Sequence, residues 1–398
     1  MLRIRYFADI RFPLERANGV QTMETCHALA RRGHQVHLVV RPDSATPPRD
    51  PFEYYGLPST SALSIERVAV PAWPAARRAV YVAHSLRRAV GARHVDVVLT
   101  RDLIVAALLL RLPRAWRAPL VYESHGFAPA VSEELPRLIS GAAALSDTKR
   151  RRLEARERLV WRRAEGYVTI TAALARELDT RFGPRPRLAV VPDGARLSAV
   201  ENVGLRDVSG RRAPVVGYAG HLYPWKGLDV LLGALQRLPG VRGLIVGGLA
   251  GEPDLARVRA LADELAPGRV TFAGQVDPPR VPALLRDADV LALPNPPNRM
   301  SAAYTSPLKL FEYMAAGRPI VASDLPALRE VLRPDENAVL VEPGNPDALA
   351  AGLARVIGDP GLAARLAARA REDMLEWTWD KRAERLETLL AGAAGRQG

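Results

Sequence analysis

Two short segments carry residue types whose spacing can hold a phosphorylated ligand. In Thr305-Ser306-Pro307-Leu308-Lys309-Leu310-Phe311-Glu312-Tyr313-Met314-Ala315-Ala316-Gly317, Ser306 suits a helix N-cap, Pro307 the first helical position, and Gly317 the left-handed residue after the last turn. The pattern predicts a short, well-bounded helix. Its start offers unpaired N–H groups and the positive end of a dipole, a favourable seat for phosphate. Glu312 falls about one and a half turns in, where a carboxylate can accept hydrogen bonds from the vicinal hydroxyls of a ribose. The segment reads equally as an ordinary capped helix with Glu312 in water. The second segment is Gly217-Tyr218-Ala219-Gly220-His221-Leu222-Tyr223-Pro224-Trp225-Lys226-Gly227. Its glycines let backbone approach a ligand, and Lys226 can reach a diphosphate as a point charge. It is neither a Walker sequence nor a GxGxxG fingerprint, so triphosphatase and dinucleotide readings lack their motifs.

Weaker candidates lie at other strand ends. Gly247-Gly248 and Gly274-Gln275-Val276 follow apolar runs; Val276 is a candidate base contact, although tight turns explain the glycines equally well. Asn18-Gly19 precedes a helical pattern and reads either as a phosphate approach or as a plain turn. Tyr122-Glu123-Ser124-His125-Gly126 ends a strand pattern, so Glu123 and His125 are expected to project into an interdomain cleft. There His125 can donate to a sugar hydroxyl or handle the acceptor proton; a structural histidine is the alternative. Asp9 and Arg101 with Asp102 occupy similar strand ends and are candidates for binding the acceptor.

The elements that must position these residues alternate in type. Apolar runs at Leu2 to Ala8, Val36 to Val40, Val95 to Thr100, Pro119 to Ser124, Gly166 to Thr171 and Leu188 to Val191 are separated by helical patterns. The same alternation restarts at Pro214 to Ala219 and continues through Gly243 to Gly247, Val270 to Ala273, Val290 to Leu293 and Pro319 to Ala322. Such βα alternation predicts an α/β chain of two doubly wound, Rossmann-like domains with parallel sheets, facing each other across a cleft. The expected bounds are 1–195 for an acceptor-binding domain, 196–212 for a linker, 213–378 for a nucleotide-sugar domain and 379–398 for a last helix. Arg41 to Ser61, rich in proline and aspartate, reads as a loop.

Composition sets the outer limits. The 398 residues exceed one comfortable core, and an apolar share of 48% with 25% charged residues is that of a soluble globular protein. One cysteine, Cys26, excludes an internal disulfide and a multi-cysteine metal site. The start lacks a long apolar stretch, so a cytoplasmic protein is expected. The formal charge of +13 is concentrated in KRRRLEARERLVWRR, Lys149 to Arg163. That helix is either a solvated arginine-rich face or a peripheral contact with an anionic membrane surface. No motif accompanies it that would argue for nucleic acid.

Together these motifs resemble the family 4 retaining glycosyltransferases of GT-B fold. In that family an arginine and a lysine, four residues apart in between, follow the first strand of the second domain; here Lys226 matches the lysine and His221 replaces the arginine. The family's E-x7-E pattern matches Glu312 at its second position, and Tyr304 stands at the first. The resemblance implies donor contacts from Gly19, Gly220, His221, Lys226, Val276, Tyr304, Ser306, Pro307, Leu308 and Glu312. It implies catalytic roles for His125, Lys226 and Glu312, and an acceptor side with Asp9, Arg101 and Glu123. It further implies a last helix crossing back to the first domain, and hexosyl transfer from a nucleotide diphosphate sugar with retention. The acceptor would be a small molecule, saccharide or lipid-linked hydroxyl, with neither metal nor other cofactor. An epimerase or other isomerase on the same architecture, and a non-catalytic sugar-nucleotide-binding protein, are the competing readings.

Overall fold

A computed structural model of the chain describes residues 1–91, 94–138, 144–197 and 213–395. The expected linker, from residue 198 to 212, lies outside the described residues. The chain divides into two units: Met1–Glu133, Ala143–Asp193 and Trp379–Gly398 in one, Glu134–Ala142 and Gly194–Thr378 in the other.

The first unit is built on β1 (Arg3–Arg11), β2 (Gln35–Arg41), β3 (Leu63–Arg67), β4 (Val97–Thr100), β5 (Leu120–Ser124), β6 (Gly166–Thr169) and β7 (Leu188–Val190). Their order in the sheet is β3-β2-β1-β4-β5-β6-β7, and every pairing is parallel. The second unit holds β8 (Val215–Ala219), β9 (Arg242–Val246), β10 (Val270–Gly274), β11 (Val290–Leu293), β12 (Ile320–Ser323) and β13 (Val339–Val341), ordered β10-β9-β8-β11-β12-β13 and again all parallel. Both sheets are doubly wound. Strand order reverses between β1 and β4 in one and between β8 and β11 in the other, the places where such sheets bind ligands outside their carboxyl ends.

Continuous apolar runs become the central strands because helices cover both faces of a parallel sheet. Every residue of β4, β5, β11 and β12 is buried. Two elements escape the sequence pattern at the sheet edges. β3 buries only Leu63, its other residues being half-buried or exposed, and β13 is three residues long. The expected loop at 41–61 contains a short helix, Pro51–Tyr55, because Asp50 caps it by accepting from the Glu53 N–H and Gly56 closes it in the left-handed conformation.

The helix Trp379–Ala393 buries Trp379, Ala383, Leu386 and Leu390 in the first unit, together with the charged Arg382. Among the described residues no helix is long and apolar enough to cross a membrane.

Candidate functional site

In the second unit, chemistry converges on the switch point. β8 runs into the Gly220–Gly227 loop, which presents alternate rings to one side: His221 stacks on Tyr223 with centroids 5.1 Å apart, and Tyr223 on Trp225 at 6.1 Å. Lys226 Nζ lies 3.5 Å from the Trp225 ring centroid, a cation–π contact. Loss of solvation pushes the Lys226 ammonium down to about 7. Gly227 then turns the chain into the helix Leu228–Gln236 with φ of 81°, and a Cβ there would lie 1.8 Å from the carbonyl oxygen of Pro294. Only glycine lets the loop rest on the residues that end β11.

The next residue is Asn295. It is 1% exposed, and both atoms of its side-chain amide lack a hydrogen-bond partner among the described residues. A buried amide left in that state is costly, which marks the switch point as a place equipped for a polar ligand.

The helix Leu308–Ala316 completes this side. It is buried on all faces except at Glu312, the one partly exposed residue in it. Its start corrects the sequence expectation: Pro307, extended at φ −77° and ψ 124°, occupies the cap position, and no side chain caps the first turn. Ser306 therefore lies one residue outside the cap. Its backbone precedes a proline and is biased towards extended conformations, which moves the helix start to Leu308. The cap residue itself offers the first turn no side-chain acceptor, and the Leu310 N–H donates to the Pro307 carbonyl at 2.9 Å. Tyr313 anchors the helix to β8, its hydroxyl accepting from the Ala219 N–H at 2.7 Å.

One turn before Tyr313, Lys309 points into the same region. It is 7% exposed, its Nζ lies 3.8 Å from the Tyr218 ring centroid, and it has no hydrogen-bond partner among the described residues. Burial first, and the nearby Lys226 second, hold it well below the ordinary lysine range, against a smaller opposing pull from Glu312. Sequence reasoning passes over Lys309, although a cation inside a helix that is apolar on every side was the signal for it. Tyr304 is 3% exposed at the end of the helix Arg299–Ala303, with the Arg299 guanidinium 5.6 Å from its ring centroid. A packed ring thus fills the position of the first family glutamate. Val276 follows the edge strand β10, half-buried against the core beside Leu244 and Ala273.

The first unit gathers a second constellation at the carboxyl ends of β1, β4 and β5. Glu123 is fully buried and one of its oxygens is shared by three donors: Gln21 Nε2 at 2.6 Å, His125 Nε2 at 2.8 Å and Arg382 Nη2 at 2.6 Å. Arg382 also donates to the carbonyls of Val191 and Pro192, each at 2.7 Å, and to Thr25 Oγ1 at 3.1 Å. Burial works against ionisation of Glu123, but Arg382 and then His125 outweigh it and hold the carboxyl well below its usual range.

All three donors meet the same Glu123 oxygen, while the other, buried oxygen has no hydrogen-bond partner among the described residues. The carboxylate's charge is consumed by Arg382, and its role is to orient His125. Because a carboxylate only accepts, His125 carries its proton on Nε2, leaving Nδ1 with a lone pair. Burial, and then Arg101, push its imidazolium down to about 4, so the ring is neutral near pH 7. The acid/base pair that an isomerase reading needs is therefore reduced to His125 alone.

Arg101 donates to Gln21 Oε1 at 2.8 Å and thereby joins the same network. Asp9 is engaged by Arg41 at 2.7 Å and by Arg78, which also bridges to Asp102 at 2.8 Å. Gly19 departs from expectation. It is the third residue of the helix Ala17–Arg31, where a Cβ would lie 2.4 Å from the Leu14 carbonyl and 2.5 Å from the Tyr55 hydroxyl. It is glycine for close packing, not for a flexible loop, because the helix begins at Ala17, four residues before the Gln21 start that the sequence suggests. Arg382 is the residue of this network that sequence reasoning missed.

Comparison with known proteins agrees with this geometry. Residues 18–194 match a family described as "Glycosyl transferase 4-like domain", and residues 213–359 one described as "Glycosyl transferases group 1". The D-inositol 3-phosphate glycosyltransferase of Xylanimonas cellulosilytica is 29% identical over 401 residues, spanning 95% of this chain and 92% of the relative. Sucrose-phosphate synthase from Thermosynechococcus elongatus superposes with a TM-score of 0.74 at 22% identity, covering 98% of both chains. HepE from Anabaena, solved with UDP-glucose, does so with a TM-score of 0.69 at 21% identity, covering 98% of this chain and 99% of its own. With both halves matched in order, and two doubly wound sheets of the same fold as these structures, the chain belongs to the family 4 glycosyltransferases of GT-B fold.

Proposed function

We propose that the protein transfers a hexose-type sugar from a nucleotide diphosphate sugar to a hydroxyl-bearing acceptor, with retention of anomeric configuration and without a metal ion. The observation that carries this reading is the second unit's switch point, where Lys226, an uncapped helix start and the partly exposed Glu312 come together. HepE, of the same fold, was solved with UDP-glucose. Donors of that chemical class suit the groups found here.

Glu312 accepts hydrogen bonds from the ribose hydroxyls and fixes the nucleotide. As the bond between the anomeric carbon and the phosphate oxygen breaks, negative charge grows on the diphosphate. Lys226 and the N–H groups at the Leu308 helix start stabilise it, as a divalent cation does in other transferases. The acceptor hydroxyl attacks the same face of the sugar, and its proton passes to the departing phosphate oxygen. No protein carboxylate pair is needed for that step. On the acceptor side, neutral His125 offers Nδ1 to a substrate hydroxyl, with Glu123 keeping the ring in place.

A screen of UDP-, GDP- and ADP-sugars by thermal shift should identify the donor, since a ligand that binds only the folded chain raises its stability. With that donor, turnover should persist in EDTA, and proton NMR of the first product formed should show the donor's anomeric configuration. Inverted product, or a new sugar formed with no acceptor present, contradicts the reading. The helix Asp147–Arg163 exposes Arg151, Arg152, Arg162 and Arg163 while burying Val160 and Trp161. That face is proposed to meet an anionic, lipid-bearing acceptor surface. Co-sedimentation with phosphatidylglycerol vesicles should fall steeply between 50 mM and 500 mM salt, whereas phosphatidylcholine vesicles should retain nothing.

A further inference from the structure

Lys309 is the feature of the second unit that the functional reading does not yet use. Its ammonium sits 93% buried within a helix that is otherwise apolar on its inner faces, an arrangement that stability alone disfavours. The side chain is also aimed. Its Nζ is over the Tyr218 ring, and a Cβ on Gly220 would lie only 3.3 Å from that nitrogen. Tyr218 is held in place by donating its hydroxyl proton to the His221 carbonyl at 2.7 Å. The nitrogen therefore lies against the backbone of the glycine loop whose other end carries Lys226.

Lys309 is buried with Lys226 near enough to act on it, and Glu312 is the carboxylate that opposes them, which leaves the surroundings of the Lys309 nitrogen short of negative charge. Asn295, at the end of the adjacent strand β11, adds an amide with neither atom satisfied. A buried amine and a buried amide without partners among the described residues suit an anionic, hydrogen-bonding ligand.

We infer that Lys309 is a second diphosphate-binding cation of the donor site, contacting the phosphate on the Gly220 side of the loop while Lys226 contacts it from the other, with Asn295 completing the polar lining. This rests on the nucleotide-sugar reading above, and it places a second lysine beside the loop in which His221 stands where the resembling family has an arginine.

The test is isothermal titration of the full-length protein with UDP, GDP, uridine and guanosine, for the wild type and for Lys309→Met and Lys309→Gln, alongside thermal denaturation of each free protein. The wild type is expected to bind one diphosphate at least tenfold more tightly than its nucleoside. Lys309→Met should lose tenfold or more in diphosphate affinity, keep its nucleoside affinity, and melt at or above the wild-type temperature, because an unsatisfied buried amine has been replaced by an apolar chain. A variant that binds the diphosphate like the wild type overturns the role of Lys309 and leaves the donor reading standing. Variants that both melt lower and lose nucleoside as well as diphosphate show a structural lysine and overturn it too. A wild type that binds neither diphosphate, nor ADP titrated alongside them, overturns the donor reading, and this inference with it.

Discussion

Lys226→Ala should lower kcat/KM for the donor by 10²- to 10³-fold, roughly 2.7–4 kcal/mol of transition-state stabilisation, the scale at which removal of one charge-stabilising donor is felt. The loss should fall mainly on kcat, because charge on the diphosphate grows as the sugar departs. Glu312→Ala should behave differently. It removes hydrogen bonds to an ionised acceptor, about 1.5–3 kcal/mol, and raises KM more than it lowers kcat. The free enzyme adds a pH signature: with Lys226 pushed down to about 7, kcat/KM should fall as pH rises through that value, since the charged form is the binding form. Initial rates over a donor series from pH 6 to 9 check all three. Both variants retaining rates within threefold of the wild type would mean that the switch point of the second unit is not where the donor reacts.

Arg382→Met should destabilise the first unit by about 3–5 kcal/mol, the usual cost of removing one partner from a buried ion pair. The reason is specific. Glu123 is wholly buried, and Arg382 is its cationic partner at 2.6 Å; without it the carboxylate stays ionised only through Gln21 and His125. The double change Glu123→Gln with Arg382→Met should recover part of the loss, because no charge is then stranded. Urea denaturation of the two single variants and the double variant measures this coupling. If Arg382→Met costs less than 1 kcal/mol, the clamp is not what holds the helix Trp379–Ala393 in place.

The sequence made the second unit easy to read where physics demands a repeated pattern. Val290–Leu293 and Ile320–Ser323 had to be buried parallel strands, since nothing else uses such short apolar runs between helices. Lys226 and Glu312 stood out as candidates because each is a charged residue in a segment bounded by glycine and proline beside an apolar run. β3 and β13 were not, because edge strands need neither length nor continuous apolarity. Ser306 misled because capping preference is local, whereas the proline after it decided where the helix begins. Gly19 misled for the opposite reason: its neighbour Tyr55 is 36 positions away in sequence.

The two cations missed, Lys309 and Arg382, share one cause. Residue type alone places lysine and arginine in water. Each nevertheless sits on the apolar stripe of its helix, Arg382 among Trp379, Ala383, Leu386 and Leu390, and Lys309 among Leu308, Leu310, Phe311 and Tyr313. A cation on such a stripe must meet an anion. For Arg382 the anion is Glu123; for Lys309 the structure supplies Glu312 only as a minor pull, which is why a ligand is proposed there.

The partnership of Glu123 with a residue 259 positions later sets a timetable for the growing polypeptide. At about 5–20 residues per second, the ribosome delivers Arg382 roughly 10–50 seconds after Glu123. Throughout that interval the nascent first unit carries a carboxylate that it cannot both bury and leave charged. The intervening unit emerges and can fold meanwhile, because its own strands are contiguous. Maturation of the half that leaves the ribosome first is thereby postponed until the half made later is complete, so nascent chains stalled before Trp379 should be cut by protease within residues 1–133 and spared within 213–378.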